Sequence, residues 1–520
     1  MSAGNSEGVA PNAQRLLWAG FMAILAAGVG FSVRAAILGQ WAERYNFTNT
    51  ELGEITGGGL LGAGLIILAG AFIADKVGYG KLMLLAFLAH FLSAVITLST
   101  DFVYNSAGGK GAAYWCLYVG MFLFAIGNGI CEAVVNPLVA TLFPKNKTHY
   151  LNILHAGWPG GLIIGGLAAY FMNPDKGTPV HWMVQMSLFL IPVVLYGIML
   201  IGQHMPKSEA SNAGVSYGVM FVQLFAPMML LLLLIHALVG YVELGTDSWI
   251  TKITGSIMES KQNGTALFIY TSALMFALRF FAGPIVHRIS PLGLLFASSL
   301  LGLAGLQLLS IAEGAVICII AATVYAAGKT FLWPTMLAVG SEQFPKGGAI
   351  TIGALGGFGM ISAGWLGGPG IGFKQDYNAT HRMQEKSAVV YDKYKASGEN
   401  QFLGFKVVGL DSKKVAILED DGEKLAGDVK SLKNLNQTDK ETDALEKWWD
   451  EAKATASEDK PVVKDAVLYG GRRALFLTSF VPLTMAALYG LLILYFKATG
   501  GYKAVHIEGG PDEVYGAAEA

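Results

Sequence analysis

Charged side chains are scarce in this chain of 520 residues, where they make up 14% of the total. Soluble globular domains carry about 25%. About half of these charges lie within residues 374–465, so the rest of the sequence is poorer still. A formal net charge of -1 provides no basic surface, and nucleic acid is therefore not an expected partner. The shortage of charge excludes an ordinary soluble domain and favours a chain that crosses a lipid bilayer many times.

Several signatures of enzymes and secreted proteins are also missing. The three cysteines, Cys116, Cys131 and Cys318, lie in apolar segments and show no disulfide or zinc spacing. The glycine clusters lie within apolar helical runs and not in a strand-to-helix turn, so they form no phosphate-binding loop. The first apolar run begins after Arg15 and is long enough to stay in the membrane as an uncleaved anchor. The sequence therefore predicts no enzyme, no metal site and no bound cofactor.

Hydrophobic residues, 53% of the chain, form twelve runs near the ~20 residues needed to cross a bilayer. The first six spans are predicted at residues 16–40, 52–74, 81–100, 114–142, 149–173 and 180–203. The second six are predicted at residues 219–250, 264–286, 292–312, 315–342, 347–372 and 473–497. The predicted fold is an all-α membrane protein with twelve transmembrane helices in two six-helix bundles. The predicted boundaries are 1–203 and 219–497 for the bundles, 204–218 for a polar cytoplasmic linker and 498–520 for a cytoplasmic tail.

The two halves of the chain look like copies of each other. Phe143-Pro144-Lys145 ends span 4, and Phe344-Pro345-Lys346 ends span 10. Paired glycines recur in spans 5 and 11. Such repeats predict two bundles related by an axis along the membrane normal, with a binding site between them. A chance likeness among glycine-rich helices is the alternative.

Lysine and arginine are more frequent in the short loops of one side, which predicts that both termini are cytoplasmic. The expected location is the plasma membrane, specifically the inner membrane of a bacterium, with the chain acting as a monomer. Residues 374–465 then form an extramembrane insert on the outer side, between spans 11 and 12. Its apolar residues, including Trp448 and Trp449, fit a small αβ cap over a cavity. Its dense mixed charge fits a loosely ordered loop equally well, so both interpretations remain open.

The stretch from Gly127 to Pro159 places polar side chains inside two apolar spans. Glu132 lies eleven residues before the end of span 4, about 16 Å along the helix and near mid-membrane. An ionisable group at that depth costs about 2.5–3.5 kcal/mol unless it faces a partner or a wet cavity. Asn136 follows one turn later on the same face, and His155 and Trp158 share a face of span 5. We predict that these four side chains line a polar path. A structural ion pair of Glu132 and plain packing of the two rings are the alternatives.

Two further ionisable residues are candidates in spans 1 and 7. Arg34 lies in the outer half of span 1, where it is suited to bind an anionic solute or to neutralise Glu132. A snorkelling arginine near the interface is the alternative. Glu243 lies late in span 7 and is a better cavity candidate than the acid four residues later, which is interpreted as interfacial.

Span 10 supplies the last two candidates. Lys329 lies well inside the apolar region and needs an acid or a ligand. Trp333 lies at the level of Glu132 when the two Phe-Pro-Lys sequences are aligned. Arg279 in span 8 and His236 in span 7 are interpreted as structural residues.

The loop after span 2, Asp75-Lys76-Val77-Gly78-Tyr79-Gly80-Lys81, resembles a signature of the major facilitator superfamily. That signature reads Gly-x-x-x-Asp-Arg-x-Gly-Arg-Arg/Lys, and Ala71 and Tyr79 depart from it. The resemblance implies that Asp75, Gly78 and Lys81 belong to a gate that latches the two bundles on the cytoplasmic side. A charged turn that only sets the topology is the alternative.

A narrower resemblance covers spans 4, 5 and 7. Gly127-Asn128-Gly129, Glu132, Asn136-Pro137, Leu151-Asn152 and the run from Tyr241 to Ile250 resemble the fucose-permease branch, which takes up hexoses with protons. That branch usually has an acid in span 1, where this chain has an arginine.

The resemblance implies a secondary active transporter that moves a small polar solute, expected to be a sugar, by alternating access. Proton symport through Glu132 or Glu243 is a hypothesis, and no other cofactor is expected. The expected partners are the solute and the lipid bilayer. One alternative is an organic-anion or sugar-phosphate carrier that uses Arg34 and Lys329 as paired cations. The other is a receptor that senses a solute without transporting it.

Overall fold

The structure is a computed structural model that describes residues 10–45, 47, 49–57, 59–173, 179–434 and 440–507. The first half of the chain folds into six helical spans, two of them single helices and four of them made of a helix and a second, separate piece. Their bounds are α1 (Ala13–Tyr45), α2 (Gly59–Val77, preceded by Asn49–Gly57), α3 (Tyr79–Leu98, followed by Thr100–Val103), α4 (Gly109–Leu142), α5 (Lys147–His155 and Gly157–Met172) and α6 (Trp182–Ser187 and Leu190–Leu200). Gly78 separates α2 from α3 at φ 93°, a conformation that glycine adopts without strain.

The second half repeats this arrangement with more interruptions. Its first helices are α7 (Pro227–Gly240, a π-helical turn at Tyr241–Gly245, and Thr246–Ile257) and α8 (Lys261–Arg279). The helix Ala282–Ile311 is interrupted at Ser290, which has a φ of 64°. Its first part, residues 282–289, follows α8, and its second part, residues 291–311, is α9. The remaining helices are α10 (Gly314–Lys329 and Leu332–Gln343), α11 (Gly348–Ser362, a π-helical turn at Ala363–Gly367, and Gly368–Lys386) and α12 (Ala456–Thr478 and Phe480–Ala498).

Within the described residues, ten helices are long and apolar enough to cross a membrane, judged by length and composition. The other two predicted spans are α5, which is split at Ala156, and α8, which carries polar residues at both ends. The helices therefore form an N-terminal bundle, α1–α6, and a C-terminal bundle, α7–α12. The predicted start of span 7 at residue 219 falls in a separate short helix, Tyr217–Val222, because Pro227 begins α7.

The internal repeat is visible in the backbone. Phe143 ends α4 with φ −129° and ψ 61°, and Phe344 ends α10 with φ −127° and ψ 53°. Each is followed by a 3₁₀ turn that starts with proline, Pro144–Asn146 and Pro345–Gly347. The side of the molecule that carries these two turns is called the turn face.

Small residues bring the two bundles together. A Cβ added to Gly353 of α11 would lie 2.2 Å from the Cβ of Ala71 in α2, and one added to Gly357 would lie 2.6 Å from Leu68 Cγ. Between α5 and α8, a Cβ on Gly166 would lie 2.7 Å from Ile269. In lipid the hydrophobic effect does not drive helices together, so close van der Waals contact at small residues holds the interface.

The insert forms a folded lobe on the side opposite the turn face. Helix α11 continues into it as far as Lys386, and α12 emerges from it at Ala456. Between them lie the helices Ala388–Tyr394, Ser412–Glu419, Glu423–Asn434 and Lys440–Ala452, together with the antiparallel strands β1 (Asn400–Phe402) and β2 (Phe405–Val407). Residues 435–439 of the insert lie outside the described residues.

A buried carboxylate stabilises this lobe. Asp459 accepts hydrogen bonds from Lys393 at 2.6 Å, Thr455 at 3.0 Å and Tyr394 at 3.2 Å. Around it, Met383, Leu418 and other apolar residues form a core separate from that of the bundles. Of the two interpretations left open by the sequence, the structure shows a folded unit.

The linker and the tail lie on the turn face. The linker contains the short helix Glu209–Asn212, and Glu209 pairs with Lys147 of α5 at 2.8 Å. Tyr502 of the tail donates a hydrogen bond to Glu342 of α10 at 2.6 Å. The rest of the predicted tail, residues 508–520, lies outside the described residues.

Candidate functional site

Two central helices are broken beside a proline, and each break frees a carbonyl group. Proline has no N–H to bond the carbonyl four residues earlier. Pro159 therefore leaves the carbonyl of His155 in α5 without its helical partner, and Pro334 does the same for Thr330 in α10. The breaks lie at Ala156 and at Thr330–Phe331.

Arg279, at the end of α8, binds both of these carbonyls. It is 1% exposed and donates from Nε to the Thr330 oxygen at 2.9 Å and from Nη1 to the His155 oxygen. From Nη2 it donates to Oε1 of Glu243 in α7 at 3.0 Å. The guanidinium thus joins α5 of the N-terminal bundle to α7, α8 and α10 of the C-terminal bundle. Five donors in a fixed planar arrangement make arginine suited to this role.

A cavity of about 480 Å³, which includes its opening to solvent, lies within the N-terminal bundle. Its wall is mainly apolar and aromatic, and Met360 of α11 closes it from the other bundle. The polar and ring-bearing residues on this wall are Phe31, Arg34, Phe124, Asn128, Glu132 and Trp158.

Glu132 and His155 are connected through Asn136. The Asn136 amide donates to Oε2 of Glu132 at 2.8 Å, and its oxygen lies 2.8 Å from Nε2 of His155. Glu132 and Trp158 line the cavity, whereas Asn136 and His155 lie behind them and are 2% and 3% exposed. The break in α5 separates His155 from Trp158, so the two rings do not share one continuous helical face.

Arg34 lies in the cavity without an acidic partner. Its Nη1 is 3.8 Å from the sulfur of Met121, and its guanidinium lies 5.9 and 5.6 Å from the ring centres of Phe31 and Phe124. Among the described residues, no carboxylate lies within 4 Å of it, although Glu132 lines the same cavity. The wall thus holds a cation that ring faces support weakly and that no anion neutralises.

Lys329 has an acidic partner in the C-terminal bundle. Its ammonium group pairs with Asp247 of α7, the acid that the sequence placed at the interface and that is in fact largely buried. Both residues line a second pocket between α7, α8 and α10, of about 280 Å³ including its opening to solvent. Trp333 is not among the residues that line either of these two cavities. The centre of its ring lies 4.6 Å from that of His236 in α7, and the two ring planes are tilted by 58°.

The turn face carries the contacts of the Asp75 loop. Oδ2 of Asp75 accepts from the backbone N–H of Ala349, in the first turn of α11, at 3.1 Å. Its Oδ1 accepts from the hydroxyl of Ser211 in the linker at 3.1 Å. A carboxylate at a helix N-terminus is favourable because it satisfies free N–H groups and the helix dipole. Lys81 is exposed to solvent.

Sequence reasoning brought forward Arg34, Glu132 and Trp158, which the structure places in one cavity. Glu243 and Lys329 lie in the opposite bundle and are engaged in ion pairs. In the sequence, Asn128 stands out only as part of the segment that resembles the fucose-permease branch. Arg279, interpreted from the sequence as a structural residue, lies at the junction of the two bundles. The sequence signal for that junction is a pair of prolines, Pro159 and Pro334. Each lies four residues after a carbonyl group that Arg279 binds.

The sequence profile described as Major Facilitator Superfamily matches residues 19–369, and the chain belongs to that family of membrane transporters. The twelve-helix, two-bundle architecture and the family resemblance are confirmed, and the chain is a transporter rather than an enzyme.

Three solved transporters share the fold. A variant of the E. coli fucose:proton symporter FucP is 18% identical, over 70% of this chain and 91% of that one, with a TM-score of 0.56. The proton:xylose symporter XylE, bound to 6-bromo-6-deoxy-D-glucose, is 12% identical, over 71% and 90%, with a TM-score of 0.57. An inward-facing bacterial homolog of the human lysosomal transporter Spinster is 13% identical, over 93% and 97%, with a TM-score of 0.60. At these identities the likeness concerns the fold alone.

One curated relative matches part of the chain. The cis,cis-muconate transport protein of Acinetobacter baylyi is 25% identical over 180 residues. The match covers 34% of this chain and 40% of that relative.

Proposed function

We propose that this transporter carries a sugar or a sugar-sized polar solute across the inner membrane of a bacterium by alternating access. The observation that supports this is the cavity in the N-terminal bundle. There the Trp158 and Phe31 rings, 5.5 Å apart, share a wall with the Asn128 amide and the Glu132 carboxylate. An aromatic ring stacks on the apolar face of a sugar, and amide and carboxylate groups bond its hydroxyls.

The inter-bundle contacts support a rocking motion as the means of access. Arg279 ties the bundles together at the centre, and Asp75 ties them on the turn face. We propose that the bundles rock about the Arg279 contact and that the Asp75 contact opens when the cavity faces the turn face. In this proposal the turn face and both termini are cytoplasmic, and one chain is sufficient for transport.

Uptake into proteoliposomes tests the proposal. The purified full-length protein is expected to exchange radiolabelled hexose or pentose in counterflow. Trp158→Ala is expected to raise KM about two- to tenfold, because a ring contact worth ~0.5–1.5 kcal/mol is lost. Trp365→Ala is the matched control, since Trp365 is 62% exposed on α11 and lies away from the cavity. Equal effects of the two substitutions would contradict the proposed site.

Proton symport is proposed through Glu132 or Glu243. Glu132 faces the cavity with one oxygen bonded by Asn136. Among the described residues, Oε2 of Glu243 has no hydrogen-bond partner. A carboxyl that can gain a proton as it binds or releases a solute links the two events.

This coupling is tested by imposing a pH gradient on the vesicles. An inward proton gradient is expected to accelerate uptake by the wild-type protein. In Glu132→Gln or Glu243→Gln, counterflow is expected to persist while the response to the gradient disappears. Wild-type uptake that ignores the gradient would rule out proton coupling.

An anion carrier is the second candidate, and Arg34 favours it. The proposed pairing of Arg34 with Lys329 has less support, because Lys329 already has Asp247 as a partner. Among the described residues that line the cavity, a dianionic sugar phosphate would meet one cation without an acidic partner, Arg34, and not two. Competition by carboxylates or phosphate esters, with no competition by neutral sugars, would favour the anion carrier.

A further inference from the structure

Asn128 is held from behind by a buried histidine. His90 of α3, 0% exposed, has its Nε2 at 3.0 Å from Oδ1 of Asn128 and its Nδ1 at 2.9 Å from the hydroxyl of Tyr196. Gly127 makes room for this ring, because a Cβ there would lie 2.2 Å from the imidazole. The amide of Asn128 is therefore held by His90, which is held in turn by Tyr196, and neither of these two side chains lines the cavity.

The direction of these hydrogen bonds determines what Asn128 offers to a solute. An amide oxygen only accepts, so Nε2 of His90 carries the ring proton and donates it. In a neutral imidazole the other nitrogen then accepts, here from Tyr196. The oxygen of Asn128 is thereby occupied, and its NH₂ group remains free to donate into the cavity that Asn128 lines.

Arg34 adds further donors to the same wall. Arg34 is buried, with 8% of its surface exposed. Its hydrogen-bond partner among the described residues is the sulfur of Met121, a weak acceptor, at 3.8 Å. Burying a guanidinium without an anion or good acceptors is unfavourable. Glu132 lines the same cavity, but among the described residues no carboxylate lies within ion-pair distance of this guanidinium.

We propose that Arg34 and Asn128 form a subsite for a carboxylate carried by the transported solute. This inference rests on the proposed function, in which the cavity is the solute site. Arg34 is the one cation among the described residues of this wall; its single charge matches a carboxylate monoanion, and its fork of N–H groups matches the two carboxylate oxygens. The rings of Phe31, Phe124 and Trp158 are left to contact the body of the solute, so the class is small carboxylic acids, sugar acids included.

Glu132 makes this subsite compatible with symport. A second carboxylate in one cavity repels the first unless one of them carries a proton. With Glu132 protonated, Arg34 and the solute carboxylate balance each other. Solute and proton would then bind together and leave together.

A matched pair of solutes tests the subsite. D-glucuronate and D-glucose differ by a carboxylate at one carbon, and cis,cis-muconate has a carboxylate at each end and no sugar ring. Thermal shift and counterflow of the full-length protein measure binding and transport of each. The wild type is expected to bind at least one of the two carboxylates, and Arg34→Met is expected to weaken this binding ~10- to 100-fold, as for a lost charge-assisted hydrogen bond. Arg34→Lys, which keeps the charge and loses the fork, is expected to be intermediate.

The outcomes separate the two proposals. Glucose bound and both carboxylates rejected would overturn the carboxylate subsite and leave the sugar proposal standing. Muconate bound through Arg34, with both sugars rejected, would support the subsite and overturn the sugar proposal. If neither carboxylate binds the wild type more tightly than Arg34→Met, the subsite is refuted. The melting temperature of ligand-free Arg34→Met shows whether that variant is folded.

His90 is a positioning residue in this scheme, and its variants differ in one hydrogen bond. His90→Phe removes the donor to Asn128, so the amide turns freely and preference for the carboxylate over glucose is expected to fall ~3- to 10-fold, as for a neutral hydrogen bond. His90→Gln keeps an N–H donor and is expected to restore the preference. A purely structural role would lower the amount of folded protein in both variants and leave the preference unchanged, which would contradict the positioning role.

Discussion

The two buried arginines of the central region are expected to lose very different amounts of stability when each is replaced by methionine. Arg279 has an acid and two carbonyls as partners, whereas Arg34 has no carboxylate within reach among the described residues. Methionine keeps a similar length and removes the charge. The comparison therefore isolates the role of the partners, because both side chains are buried to a similar extent.

The expected magnitudes follow from what each substitution leaves behind. Arg279→Met leaves Glu243 buried without a cation, and breaking a buried ion pair costs about 3–5 kcal/mol. Adding Glu243→Gln removes the stranded charge, so the double variant is expected to recover about 2–3 kcal/mol relative to the sum of the single variants. Arg34→Met removes a charge that has no counter-ion, and it is expected to cost less than ~1 kcal/mol or to stabilise the protein, as binding sites often trade stability for function.

Unfolding in mixed detergent micelles, followed by circular dichroism, measures these differences for the four variants. Transport assays in parallel are expected to show that Arg34→Met is folded and inactive toward the native solute. If the Arg279 and Glu243 substitutions are additive within ~0.5 kcal/mol, or if Arg34→Met costs as much as Arg279→Met, the partner assignment is wrong.

Three further predictions concern other parts of the molecule. Asp75→Ala removes the carboxylate at the start of α11, which is worth about 1 kcal/mol, and is expected to increase maleimide labelling of a Ser341→Cys reporter on the turn face; unchanged labelling would argue against a latch. Gly240→Ala would place a Cβ 1.9 Å from a carbonyl oxygen of α11 and is expected to abolish transport. Gly39→Ala, with open space around it, is expected to be neutral or to stabilise α1 by up to ~1 kcal/mol. Equal transport activity of the two variants would contradict the close contact at Gly240. Asp459→Asn is expected to destabilise the insert by about 1–3 kcal/mol and to accelerate hydrogen exchange there while the spans stay protected; uniform exchange across the protein would show that the lobe is not a separate unit.

The spans and the repeat could be predicted because they depend on local properties. Apolar run length is set by bilayer thickness, and the Phe-Pro-Lys sequences predict matching ends of α4 and α10. The start of α7 was predicted wrongly because residues 219–226 are as apolar as the helix that follows. Hydropathy does not detect the break before Pro227.

The candidate site could be predicted only in part, because side-chain partners depend on the packing of distant helices. Glu132 and Trp158 were found from charge and ring chemistry inside an apolar run. The pairing of Lys329 with Asp247, and the place of Arg279 between two freed carbonyls, depend on four different helices meeting at one level. The position of Arg279 could have been inferred by asking which carbonyl groups the prolines of the spans leave free for a buried arginine to bind.

The lobe between α11 and α12 has a mechanical consequence. Helix α11 extends about 14 residues beyond the predicted end of its span, which is roughly 21 Å, and α12 runs beside it. Because this pair is continuous with the bundle, it acts as a lever arm whose far end moves through a longer arc than the residues near Arg279. A spectroscopic label at the far end of the lobe would therefore move farther than a label near Arg279 when the bundle rotates. Single-molecule distance measurements can follow a displacement of that kind.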